Sequence, residues 1–199
     1  MEVFVYCRDR DGAGPLRKQL VQTHWAFMDG YATSMIARGP TLTEDGSQTG
    51  SMHILDLADL AAARAFAFEE PYYRAGVFAD VTIHRWRNAL GRTMWDFQGD
   101  PDRNRRFLVI GHGHAGMTAQ REQLLEAHRR YFIDRGYQEH FIARGPLLSD
   151  DGAHWIGSAM LIELPDAAAV AAMFADEPYH RNGLYARMEI LPWRFGGRH

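Results

Sequence analysis

Ile36-Ala37-Arg38-Gly39-Pro40 returns 106 residues later as Ile142-Ala143-Arg144-Gly145-Pro146, and this recurrence decides the fold. Working outward, Glu44-Asp45-Gly46 returns as Asp150-Asp151-Gly152 at the same offset. Gly50-Ser51 then returns as Gly157-Ser158, and Glu69-Glu70-Pro71-Tyr72 as Asp176-Glu177-Pro178-Tyr179, at an offset of 107. Upstream, Arg17, Gln19, Leu20 and His24 fall on Arg121, Gln123, Leu124 and His128 at an offset of 104. The first copy is therefore two residues shorter between its first helix and the following strand. Trp86-Arg87 closes one copy as Trp193-Arg194 closes the other. A period this long marks a duplicated domain, because solenoid units run only about 20–50 residues.

Each copy reads as strand, helix, strand, strand, helix, strand. β-prone segments open the copies at Val3 to Arg8 and Phe107 to His112, and helical periodicity follows over Leu16 to Gly30 and Thr118 to Gly136. Strands are expected at 33–39 and 138–144, each ended by Gly-Pro, and at 49–57 and 155–164. Alanine-rich second helices start at Asp59 and Asp166 as N-caps, and last strands cover 79–87 and 186–194. This βαββαβ order is the ferredoxin-like motif, an α+β fold. The expected organisation is a first domain at 1–88, a linker at 89–104 rich in turn signals, and a second domain at 105–199. A sheet with helices on one face must cover its other face. Two fused copies can do this for each other, as a barrel-like pseudo-dimer within one chain; the alternative is pairing with another chain as a homodimer.

The 46% hydrophobic and 24% charged residues describe an ordinary globular chain. A formal charge of −3 argues against a general nucleic-acid binder, which needs a clustered basic face. No apolar run approaches the roughly 20 residues of a membrane span. Met1 to Tyr6 runs straight into charged residues and does not read as a secretory signal, and the single cysteine, Cys7, has no partner for an intrachain disulfide. These features lead us to expect a cytoplasmic protein that binds neither nucleic acid nor membrane. The absence of a P-loop, a dinucleotide glycine fingerprint and HExxH leaves no cofactor or metal expected. His112-Gly113-His114 offers two imidazoles without an evident third ligand.

His24 and His128 each stand in an apolar helical stripe, His128 with Leu124, Leu125, Tyr131 and Phe132. A buried imidazole needs a partner, and the recurring loop carboxylates Asp45 or Glu44 and Asp151 or Asp150 are the candidates. A carboxylate that orients imidazole makes a general base; the alternative is a core histidine bonded to backbone. Strand alternation places Phe141 and Ala143 toward the helices and sends Arg144, with its counterpart Arg38, into the space between sheets. There an arginine could hold a carboxylate or phenolate, or pair with a loop aspartate. Ser51 and Ser158 follow strand glycines and either donate to a ligand or pack. Glu70-Pro71-Tyr72 and Glu177-Pro178-Tyr179 read as helix stops whose tyrosines could line a cavity mouth.

The helix histidine, the Ala143-Arg144-Gly145-Pro146-Leu147-Leu148 run with Asp150-Asp151-Gly152, Gly157-Ser158 and Glu177-Pro178-Tyr179 together resemble the YciI-like (YCII-related) family. The second copy resembles it best, since the first has Thr41 after Gly-Pro and Glu44 before Asp45. The resemblance implies a dimeric α+β barrel, and a histidine–aspartate pair in a cleft, here His24 with Asp45 and His128 with Asp151. Some members of that family are cofactor-free enzymes acting on chlorinated hydroxyaromatic breakdown products. The expected function is a cofactor-independent lyase or isomerase for a small anionic cyclic or aromatic metabolite, with Arg144, Ser158, Arg38 and Ser51 binding it. Its rivals are a non-catalytic small-molecule-binding module, a structural assembly domain, and an oxygenase on a similar barrel.

Overall fold

A computed structural model of the protein describes residues 1–197. The first copy forms β1 (Glu2–Asp9), α1 (Gly14–Asp29), β2 (Met35–Leu42), β3 (Gln48–Asp56), α2 (Leu60–Glu69), the one-turn helix α3 (Pro71–Arg74) and β4 (Phe78–Trp86). The second repeats the order as β5 (Arg105–Gly113), α4 (Thr118–Asp134), β6 (Phe141–Leu148), β7 (Trp155–Leu164), α5 (Ala167–Ala175), α6 (Pro178–Arg181) and β8 (Tyr185–Trp193). The side chains of Asp59 and Asp166 cap α2 and α5, accepting from the Ala62 and Ala169 amides at 2.8 and 2.7 Å. No helix among the described residues is long and apolar enough to cross a membrane.

The strands close into one antiparallel barrel in the order β1-β3-β2-β8-β5-β7-β6-β4. The bare faces of the two sheets become its interior, where Phe4, Met52 and Ile54 of one copy meet Leu108, Ile142 and Leu161 of the other. The segment between the copies contributes to this interior. Met94, in a single 3-10 turn, is 1% exposed within the barrel core, and Phe97 packs beside it.

Between the copies the ladders are short. Strand β2 meets β8 at Thr41 and Trp193, and β4 meets β6 at Arg85 with Leu148 and Trp86 with Leu147. The Gly-Pro pairs do not end their strands, contrary to the sequence expectation; β2 and β6 run through them. Each is the edge strand of its own sheet, where a missing N–H costs little, and Pro40 and Pro146 use their carbonyls to accept from the Arg194 and Arg87 amides at 3.3 Å. The glycines are required by the crossing strand. A Cβ on Gly145 would enter the Arg87 carbonyl and the Trp86 ring, and one on Gly39 would enter the Arg194 carbonyl and Trp193. Gly145→Ala is expected to cost about 1–3 kcal/mol, as overpacking against backbone does. Urea unfolding checks this, and an unchanged midpoint would show that the seam is looser than described.

Candidate active site

The histidine stripe of α4 lies against the outer face of its own sheet, where His128 and Phe132 are buried. The carboxylate that holds His128 is that of Glu177: imidazole Nδ1 and Oε1 are 2.6 Å apart. Glu177 is wholly buried and caps α6, accepting from the Tyr179 and His180 amides at 3.0 Å. Proline at the first helical position fixes that turn, so Glu-Pro-Tyr delivers an acid and, two residues on, a ring that stacks on His128 with centroids 4.0 Å apart. The first copy repeats this clamp. His24 Nδ1 lies 2.6 Å from Glu70 Oε1, and Tyr72 stacks on His24 at 4.2 Å.

The expected pairing with the loop aspartates does not form. Asp151 turns back into its own loop, accepting from the Ser149 hydroxyl at 2.5 Å and the Ala153 amide at 2.9 Å. Asp45 likewise accepts from the Thr43 hydroxyl and, at 3.0 Å, from the Ser47 amide. Short polar side chains after a turn satisfy the nearest backbone first. The signal that sequence reasoning misses is the glutamate of Glu-Pro-Tyr, which recurs in both copies, 46 residues after His24 and 49 after His128.

Arg144 and Arg38 lie on the helix side of the sheet and not between the sheets. The register slips between Phe141 and Ala143, and between Met35 and Ala37, so Ile142 and Ile36 are bulged. Ile142 and Ala143 both join the barrel core, and strand parity inverts from there on. Arg144 therefore comes to rest over the rings of Phe141 and Phe132, 4.7 and 5.1 Å from their centroids, and shares a cavity with His128. It is 9% exposed, has no acidic partner among the described residues, and its Nη1 is buried without a hydrogen bond. Burial, and then the nearby Arg129, pull its pKa down to about 10, so it remains charged at neutral pH. The Tyr179 hydroxyl is also buried without a partner, and burial pushes its pKa up to about 12. An unsatisfied buried donor costs about 1–3 kcal/mol, and two in one cavity wall mark where an acceptor belongs.

The cavity measures about 360 Å³ and is lined by His128, Arg144, Ser158 and Tyr179, with Arg121 and Arg129 from α4 and Arg87 and Asn88 from the other copy. Ser158 Oγ lies 3.1 Å from the Tyr185 hydroxyl. Burial pushes the His128 imidazole below its ordinary value, against the pull of Glu177. A neutral ring whose Nδ1–H donates to Glu177 has Nε2 as its accepting nitrogen.

A model of the YCII-related domain family matches residues 1–87 and again residues 106–194. The chain belongs to the YCII-related family. The 5-chloro-2-hydroxyhydroquinone dehydrochlorinase of Burkholderia phenoliruptrix AC1100 is 27% identical over 46% of this chain and 99% of its own, with a TM-score of 0.43. A chlorite dismutase variant from Candidatus Nitrospira defluvii covers 98% of this chain and 91% of its own at 13% identity, with a TM-score of 0.61. An anthrone oxidase-like protein covers 98% and 90% at 10% identity, with a TM-score of 0.59. The last two share the fold, at identities that say nothing of activity. No curated protein gives a significant sequence match.

The two YCII-related halves differ around the shared clamp. In the first, Arg17 is held by both oxygens of Asp9 at 2.5 Å and donates to Ser51 at 3.0 Å. The second half has Gly113 at the position of Asp9. Among the described residues its Arg121 is paired only with its exposed neighbour Glu122, at 3.1 Å. The cavity beside His24 is about 110 Å³, lined by Arg38 and Ser51 and closed partly by Phe195 and Gly196 of the other copy. His53 stands there where the second half has Met160. It is 4% exposed with Nδ1 unpartnered, and burial, then His24 and Arg38, push its pKa well below the ordinary value. The unfolded chain thus takes up a proton near pH 6.5 that folded His53 refuses, and stability falls as pH drops below that point, by up to about 1.4 kcal/mol per unit for such a group. His53→Met should make the decline between about pH 7.5 and 5.5 shallower. Urea unfolding at the two pH values measures it, and an unaltered slope would mean that His53 titrates freely.

Proposed function

We propose that the second half is a cofactor-independent lyase or isomerase that moves a proton on a small anionic cyclic or aromatic compound. The observation that carries this reading is the juxtaposition, in one cavity, of a carboxylate-clamped neutral histidine and a buried guanidinium with no acidic partner among the described residues. At about 360 Å³ the cavity falls within the usual ligand-site range of about 300–1,000 Å³, whereas the cavity beside His24 falls well short of it. Membership of the YCII-related family supports a role in small-molecule processing.

In this scheme His128 Nε2 takes the proton, and Glu177 holds the ring in one tautomer and steadies the imidazolium that forms. Arg144 and the Tyr179 hydroxyl face the oxygen on which negative charge collects. In an isomerisation the same proton returns to another atom of the resulting enolate. In an elimination the electron pair of the broken C–H bond becomes the new double bond, the leaving group departs as an anion, and the proton passes from His128 to solvent. Base, orienting acid and counter-charge all come from side chains. Asp151 and Asp45, bound within their loops, take no part, and Ser158 contributes through its bond to Tyr185.

Proton–deuterium exchange in heavy water, screened across hydroxyaromatic acids and lactones, gives a readout of proton transfer without knowledge of the product. His128→Gln should lower exchange by about 10²–10⁴-fold while unfolding at the native midpoint, and Glu177→Gln should lower it less. The rate should fall on the acid side only below pH 6.5, because burial depresses the His128 pKa. Binding that persists in His128→Gln, with no exchange in the native protein, would favour a non-catalytic binding module. Native exchange in His128→Gln would falsify the assignment.

A further inference from the structure

The second-half cavity carries more positive charge than one carboxylate or phenolate needs. Arg144 is its buried guanidinium, while Arg129 from α4 and Arg87 from the end of β4 line it from exposed positions. Glu122 is the one carboxylate in the lining, and Arg121 engages it. Arg144 Nη1 and the Tyr179 hydroxyl, both buried and unpartnered, point to an acceptor inside; the two outer guanidiniums, in no salt bridge among the described residues, are free to meet a second anion at the rim. The first half provides an internal comparison. Trp25 stands at the position of Arg129 and Asp9 neutralises Arg17, which leaves Arg38 and Arg194 as the guanidiniums of that lining.

Resting on the reading of this cavity as an anion site, we propose that its ligand is a dianion, a ring compound with two acid groups. Arg144 and Tyr179 hold one group beside His128, and Arg129 and Arg87 hold the other at the rim. Arg87 belongs to the first copy, so the specificity of the second-half site is set partly by the other half. The chain leaving β4 is anchored there, with the Arg87 amide donating to Pro146 at 3.3 Å and the Ala89 amide to Arg144 at 2.9 Å. Two guanidiniums held apart by different elements read the distance between two acids, which one flexible arginine cannot do.

Isothermal calorimetry on the full chain compares isophthalate, with two carboxylates on one ring, with benzoate, which has one. Isophthalate should bind about tenfold more tightly than benzoate, at one site per chain. Arg129→Ala, with Arg129→Gln as a second variant, should bring the two affinities within about threefold, and Arg87→Ala should move them the same way. Equal affinities in the native protein overturn the proposal but leave the anion site standing, provided that benzoate binding is lost in Arg144→Ala. Failure of both probes to bind removes the anion reading itself. Two equivalent sites per chain would overturn the assignment to the second half.

Discussion

Each half builds a four-stranded sheet whose helices cover one face, and the other face is too apolar to be left in water. Burying a large aliphatic or aromatic side chain is worth about 1.5–3 kcal/mol, and the barrel interior holds many of them from both halves. Everything else follows from that closure. The barrel interior is packed with side chains, Met94 of the connecting segment among them. The cavities beside the two histidines lie on the outer faces, where α1 and α4 lie against their sheets. Closure also forces β4 and β8 across the edge strands of the other half, and only glycine at 39 and 145 lets backbone pass so close to backbone. The strand ends that cross in this way go on to line the opposite cavity.

What the sequence disclosed and what it hid divide along one physical line. Features with a local cause were legible: the duplication, the element order, the Asp59 and Asp166 caps, and the imidazole stripe that had to find a partner. Features set by a pairing across space were not. Strict alternation misplaces Arg144, because Ile142 is bulged and nothing in Phe141-Ile142-Ala143 announces an extra residue. The Gly-Pro pairs have a sound local reading as strand ends, but their glycines answer to a strand from the other half. The pairing of His128 with Asp151 fails for a related reason, since a short acid after a turn prefers its own backbone. A proline-fixed turn after the second helix is a better place for a buried acid, because its amides already demand an acceptor.

The differences between the halves are compensated in place. Gly111 and Gly113 of the second half make room for the Tyr185 and Trp155 rings, either of which would meet an added Cβ. The first half has Cys7 and Asp9 at those positions, with Phe78 and Gln48 opposite. There the acid binds Arg17 and an arginine that could meet a ligand is spent on structure. Yet the histidine–glutamate–tyrosine clamp persists, at nearly the same distances, beside a cavity of about 110 Å³. A buried imidazole needs its acid whether or not it moves protons, so the clamp alone does not distinguish a working site from a packed one. The distinction lies in what surrounds it: about 360 Å³ beside His128 against about 110 Å³ beside His24, and a more deeply buried guanidinium at Arg144 than at Arg38. By that measure the two halves differ most at Arg17, which Asp9 holds in the first, and at Arg121, whose half has Gly113 in place of that acid.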